Sequence, residues 1–110
     1  MTAYLIIEAH ITDPQGFAAY ARATPDVAAR YGGQYLVMGG AQQSLEGEHA
    51  PARTVISQWP DRAAALAFWH SADYAAIKPL RAGTGNFRVL LADGAQTQAL
   101  NDTATEGKAP

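Results

Sequence analysis

The stretch that most constrains the fold is Tyr4-Leu5-Ile6-Ile7-Glu8-Ala9-His10-Ile11, because its residues fall into two chemically different sets with a period of two. Leu5, Ile7, Ala9 and Ile11 are all apolar, whereas Tyr4, Ile6, Glu8 and His10 become polar toward the end of the run. Successive side chains of a strand point to opposite faces. The pattern therefore predicts a β-strand with one face under helices and the other facing something that tolerates a carboxylate and an imidazole.

The following residues predict what covers that strand. Thr12 or Asp13 can cap a helix, and Pro14 suits its first turn. Phe17, Tyr20, Ala21, Thr24, Val27, Ala28 and Tyr31 recur at helical spacing. Pro25 predicts either a kink or a restart with Thr24 as a new cap. Gly32-Gly33 ends the helix. A second strand is expected over 34–38, broken by Gly39-Gly40, and a third over 53–59. Between them, Ser44-Leu45-Glu46 is expected to form a short extra strand or hairpin arm. Asp61 caps a second helix that runs to Trp69, Ser71 caps a further piece over 72–77, and a fourth strand spans 87–91. Residues 95–110 are polar and aperiodic and are expected to form a flexible C-terminal tail.

Strand, helix, strand, strand, helix, strand is the ferredoxin-like βαββαβ plan, an α+β fold with a four-stranded antiparallel sheet over residues 1–94. Right-handed crossovers put the first and third strands in the centre and both helices on one face. The other face carries Tyr4, Ile6, Ile56 and Leu90, too apolar to be left to water. A homodimer that buries this face, closing two sheets into a dimeric α/β barrel, is the expected state.

The composition excludes several classes of function. A net charge of −2 provides no electrostatic footprint for nucleic acid or an anionic membrane. The aromatic strand motifs of RNA-binding ferredoxin-like domains are absent. With no cysteine, disulfides, iron–sulfur clusters and thiolate zinc sites are impossible. Neither a signal-peptide pattern nor a membrane-spanning run is present, so a cytoplasmic location is expected.

A set of local matches goes further: Ala3-Tyr4-Leu5-Ile6, Thr12-Asp13-Pro14, Tyr20, Tyr31-Gly32-Gly33, Tyr35-Leu36-Val37, Gly39-Gly40, Leu45-Glu46-Gly47, Pro51 with Arg53, Ser71-Ala72-Asp73-Tyr74, and Ile77-Lys78-Pro79-Leu80-Arg81. Together they resemble the family known as domain of unknown function 1330, within the dimeric α/β-barrel superfamily, over about residues 2–94. The resemblance implies a ferredoxin-like fold and a dimer, and no established reaction. Met38 stands where the family often has a basic residue and Gln58 where it often has an acid, which makes the expected cavity less charged than usual.

Chemistry is expected on the sheet face left bare by the helices. By alternation that face carries Tyr4, Ile6, Glu8, His10, Thr54, Ile56, Gln58, Arg88, Leu90 and Ala92, with Gln34, Leu36 and Met38 from the second strand. Glu8 and His10 are neighbours there. They read as a general base oriented by a carboxylate, or as a polar strand end paired with Arg88. A second cluster is Ser71, Tyr74, Lys78 and Arg81. On a continuous helix Tyr74, Lys78 and Arg81 share one face and could hold a carboxylate, enolate or phosphate, or they belong to a capped surface helix. Arg53 either guards a pocket mouth or anchors a loop. No metal site is expected, since His10, His49 and His70 show no ligand-spaced pair. Trp69-His70 could suggest haem within the superfamily but reads more simply as a packed indole beside an exposed imidazole, and no cofactor is expected.

Three functions follow. The first is a cofactor-independent isomerase, lyase or monooxygenase acting on a small oxygenated or anionic molecule. His10 would transfer the proton, Glu8 would orient it, and Arg88 or Arg81 would stabilise the anion. The second is a non-catalytic module that binds or senses a small ligand. The third is a structural dimer with a vestigial pocket.

Overall fold

In the computed structural model, which describes residues 1–95, four strands form one antiparallel sheet: β1 (Ala3–Ile11), β2 (Gln34–Met38), β3 (Arg53–Trp59) and β4 (Gly85–Asp93), in the order β2-β3-β1-β4. Helices α1 (Pro14–Arg30), α2 (Arg62–Trp69) and α3 (Ala72–Ile77) follow the expected plan, with a 3₁₀ turn (Lys78–Arg81) leading into β4. The second crossover thus holds two helices and a tight turn. The expected tail lies outside the described residues from position 96 on.

The helix starts follow the predicted capping chemistry. Gly16 N–H donates to the Asp13 carboxylate at 3.0 Å, Ala64 N–H to Asp61 at 2.8 Å, and Tyr74 N–H to the Ser71 hydroxyl at 3.0 Å. At Pro25 the helix neither stops nor restarts. The Thr24 hydroxyl donates to the Tyr20 carbonyl one turn back, at 2.6 Å, so it serves the helix interior and not a new N-terminus. Pro25 lacks an N–H, which leaves the Ala21 carbonyl without its helical donor.

One core closes between the helices and one face of the sheet. It joins Leu5 and Trp59 to Tyr20, Val27, Ala28, Phe68 and Tyr74. Trp59 is the largest fully buried side chain, 1% exposed, and its indole N–H donates to the Ser57 hydroxyl at 2.9 Å. The turn after α1 crosses directly over this ring. A Cβ on Gly33 would lie 2.5 Å from the indole, so only glycine fits there.

The opposite face of the sheet is open. Val37 pairs with Ile56, Ile56 with Ile6, and Ile6 with Leu90, so an apolar row crosses all four strands. Polar rows flank it: Thr54, Glu8 and Arg88 on one side, Gln34, Gln58 and Tyr4 on the other. Leu90 is 64% exposed.

Two expectations about the β2 region need correction. The register shifts between Tyr35 and Val37, making Leu36 the extra residue of a β-bulge. Beyond the bulge the faces exchange. Val37 pairs with Ile56 on the open face and Met38 pairs with Val55 on the helix side, so Met38 is not an open-face residue. The stretch holding Ser44-Leu45-Glu46 forms no strand. Its polar groups bond within the loop, Ser44 to the Gly47 carbonyl at 3.2 Å and Gln42 to the Ala52 carbonyl at 2.7 Å, and Leu45 stands 90% exposed.

The ends of the domain meet. Ala3 pairs with Asp93, and Gly94 N–H donates to the Thr2 carbonyl at 2.6 Å. No helix among the described residues is long and apolar enough to cross a membrane.

Candidate functional site

The best-formed cavity lies on the helix side of the sheet, between α1, the end of β2 and the 3₁₀ turn, and has a volume of about 190 Å³. Its floor is the far end of the helix-facing strand pattern: Ile7, Ala9 and Ile11 of β1, with Val55 and Phe87 beside them. Ala9 is the small residue in that row, and the space above its methyl group is what the larger neighbours leave unfilled. Phe17, Tyr20, Ala21, Thr24 and Pro25 of α1 form the roof.

Two arginines complete the wall. Arg53 pairs with Ala9 on one side of β1, and Phe87 pairs with Ala9 on the other. The Arg81 guanidinium lies over the Phe87 ring at 4.7 Å from its centroid and 5.5 Å from that of Tyr20. The two cations thus approach one cavity from opposite sides of Ala9, across about two strand spacings, or roughly 10 Å. The Arg53 stem is placed by Gly39, which has φ +73° and would carry a Cβ only 3.2 Å from Arg53 Cδ. Among the described residues, neither guanidinium is within ion-pair distance of a carboxylate.

The polar groups of the remaining wall are the Tyr20 and Tyr35 phenols and the Thr24 hydroxyl, and Tyr74 stands behind Tyr20. Tyr20 and Tyr74 bring their hydroxyls to 2.7 Å in the core. Burial, and then the neighbouring Tyr20, push Tyr35 up to about 12. The Tyr74 phenol is pushed further up, by burial first and then by the charge and hydrogen bond of Tyr20. Tyr35 and Tyr74 stay neutral donors at ordinary pH. The cavity wall includes no carboxylate and no imidazole.

The residues expected to carry chemistry are distributed differently. Glu8 and Arg88 pair directly across β1 and β4 at 3.3 Å, well exposed on the open face and outside the cavity. His10 does not meet Glu8. Its Nδ1–H donates to the Pro51 carbonyl at 2.6 Å, leaving Nε2 as the basic nitrogen. His10 lines a shallow recess that shares Ala9, Ile11 and Arg53 with the cavity. The expected shared face of Tyr74, Lys78 and Arg81 is not formed, because α3 ends at Ile77 and the 3₁₀ turn winds three residues per turn through Pro79. Tyr74 is buried, Lys78 sits 4.5 Å from the Trp69 ring centroid, and only Arg81 reaches the cavity. The Ser71 hydroxyl caps α3 and donates to the Phe68 carbonyl at 2.7 Å. Of the expected binding residues, the structure brings Arg53 and Arg81 together. Phe17, Tyr20, Tyr35 and Phe87 also line the cavity, and the sequence did not mark them as cavity residues. The available signal was Ala9, a methyl group in a strand face of Leu and Ile. No group of His, Asp and Glu among the described residues could hold a metal ion.

The profile of the family described as a domain of unknown function, DUF1330, matches residues 2–95. This chain belongs to the DUF1330 family. Solved structures share the DUF1330 chain's fold at low sequence identity. A methylated form of the RPA0582 protein superposes with a TM-score of 0.68 at 17% identity, over 87% of this chain and 82% of that one. RPA0582, a protein of unknown function from Rhodopseudomonas palustris, has a second structure with a TM-score of 0.67 at 19% identity, over 86% and 83% of the two chains. A protein from Nitrosomonas europaea, named as a candidate antibiotic biosynthesis monooxygenase, superposes with a TM-score of 0.60 at 16% identity, over 87% and 92%. No curated protein matches this DUF1330 chain in sequence.

Proposed function

We propose that this DUF1330 chain is a small-ligand binding or sensing module whose ligand enters the cavity between α1 and the sheet. One observation carries the reading: the wall offers cations, phenols and apolar surface, and no carboxylate or imidazole to act as a base. The test is ligand-observed NMR with toluene and benzyl alcohol as probes. The chain should bind them. Ala9→Leu, which fills the floor, and Ala21→Trp, which crowds the roof at an exposed position, should both lose them. Equal binding by the variants, or none by the parent, would overturn the reading.

A second reading, a cofactor-independent enzyme of isomerase, lyase or monooxygenase type, is favoured by His10. Its Nε2 is free to accept a proton from a substrate that extends from the cavity into the neighbouring recess. The Pro51 carbonyl, rather than Glu8, would then orient the imidazole. The likeness to a protein named as a candidate monooxygenase suits this reading. Product formed from a bound small molecule by the chain, and not by His10→Ala, would favour the enzyme over the module.

In either case we propose a homodimer through the open face. The apolar row Val37, Ile56, Ile6 and Leu90, rimmed by polar rows, has the anatomy of a protein interface.

A further inference from the structure

We infer that the occupant of the cavity is a small carboxylic acid with a flat, ring-sized apolar body, its carboxylate held by Arg81. The inference rests on the cavity being the binding site and adds the ligand's chemical class.

Charge comes first. Two guanidiniums border one mostly apolar space, and no carboxylate among the described residues pairs with either. A cation at an apolar wall is stabilised by an anion that arrives with the ligand. The Tyr35 phenol in the wall is a neutral donor, so it does not compete for the arginines and can donate to the same anion.

Geometry then selects the anion. The Arg81 guanidinium lies over the Phe87 and Tyr20 rings, whose faces attract its charge but offer no oxygen to its N–H groups, which stay available as donors. Two parallel N–H groups match the two oxygens of a planar carboxylate. The backbone behind Arg81 is fixed: its carbonyl accepts from Thr84 N–H at 3.1 Å and from the Thr84 hydroxyl at 2.6 Å. The Thr84 carbonyl in turn accepts from Thr12 N–H and Asp13 N–H at 2.8 and 3.0 Å. The turn that presents Arg81 is thereby tied to the start of α1, which roofs the cavity.

Size and shape select the body. A volume of about 190 Å³ falls below the roughly 300–1,000 Å³ of sites for drug-sized ligands. It somewhat exceeds the ~150 Å³ of an apolar cavity that holds benzene. One ring and a carboxylate fit these limits. Phe17 and Phe87 both line the cavity and stack with 16° between their planes, so aromatic surface borders the space beside Arg81.

The test compares benzoate with benzamide, benzyl alcohol and phenyl phosphate by NMR titration, on the chain and on Arg81→Met and Arg81→Lys, each checked for folding by circular dichroism. Benzoate should bind about tenfold tighter than benzamide. Arg81→Met should remove that preference while keeping benzyl alcohol, and Arg81→Lys, charged but without the planar fork, should keep only part of it. Benzamide binding as tightly as benzoate, or phenyl phosphate binding more tightly, would overturn the carboxylate and leave the cavity as the site. Failure of every probe to bind would overturn both.

Discussion

The phenol oxygens of Tyr20 and Tyr74 lie 2.7 Å apart inside the core, joining the middle of α1 to α3. One hydroxyl must donate and the other accept, so each satisfies the other. Tyr74→Phe should therefore destabilise the chain by about 1–3 kcal/mol, the cost of a buried polar group left unpaired. The double variant Tyr20→Phe/Tyr74→Phe should be less destabilised than the sum of the two single variants. Urea melts of all four proteins provide the cycle, and additive effects would show that the two hydroxyls do not interact.

Two phenols, Tyr35 and Tyr74, set an alkaline limit. Tyr35 and Tyr74 are raised in the folded chain, so above about pH 10 the unfolded chain loses phenolic protons that the folded chain still holds. Stability tied to these groups is complete below the unfolded value near 10 and declines as pH rises through the window up to their folded values. Urea midpoints measured from pH 8 to 11 should fall most steeply above 10. The fall should be shallower in Tyr74→Phe.

Gly33 tests the packing of Trp59. A methyl group there would overlap the indole, which is fully buried and has no room to retreat. Gly33→Ala should cost about 1–3 kcal/mol. For a domain of this size that lowers Tm by roughly 4–8 °C per kcal/mol. A Tm equal to that of the parent would mean that the turn moves freely off the ring.

The open face predicts the state of assembly. The chain should run in size-exclusion chromatography with light scattering at the mass of two copies. Leu90→Asp changes a side chain already 64% exposed in the single subunit and should give the mass of one copy while keeping the fold. Two copies in the variant would place the interface elsewhere.

Ser71 separates a cap from a ligand contact. Its hydroxyl is used by Tyr74 N–H and the Phe68 carbonyl, so Ser71→Ala should cost about 1 kcal/mol of stability. Benzyl alcohol binding by the folded protein should not change.

Much of this architecture was legible in the sequence because β1 states its two faces plainly and Asp13, Asp61 and Ser71 mark helix starts. The topology follows from element order. Two things were not legible. The bulge at Leu36 inserts one residue into a strand that is apolar on both faces, so alternation could not reveal that Met38 turns toward the helices. The side of the sheet holding the cavity was hidden for a different reason. Polar Glu8, His10 and Arg88 drew attention to the open face, where Glu8 and Arg88 pair with each other. The space itself depends on a missing volume at Ala9 in a row of larger residues, and on Arg81 being turned inward by a 3₁₀ turn that a helical reading of the stretch does not produce. For Arg53 the sequence leaves a pocket mouth and a loop anchor both open, and Gly39, which lies against its stem, is what lets that stem run along the cavity.

The pairing of Ala3 with Asp93 brings the two ends of the domain together at one end of the sheet. Ala9 and the cavity lie six residues further along β1, about 20 Å away. An affinity tag or fluorophore attached before Met1 would sit clear of the ligand, so binding can be followed on an immobilised chain. The same proximity allows the connectivity to be rewired. Linking residue 95 to residue 1 by a short glycine-rich segment and opening the chain in the exposed loop near Gly47 would give a permutant in which every strand pairing is retained.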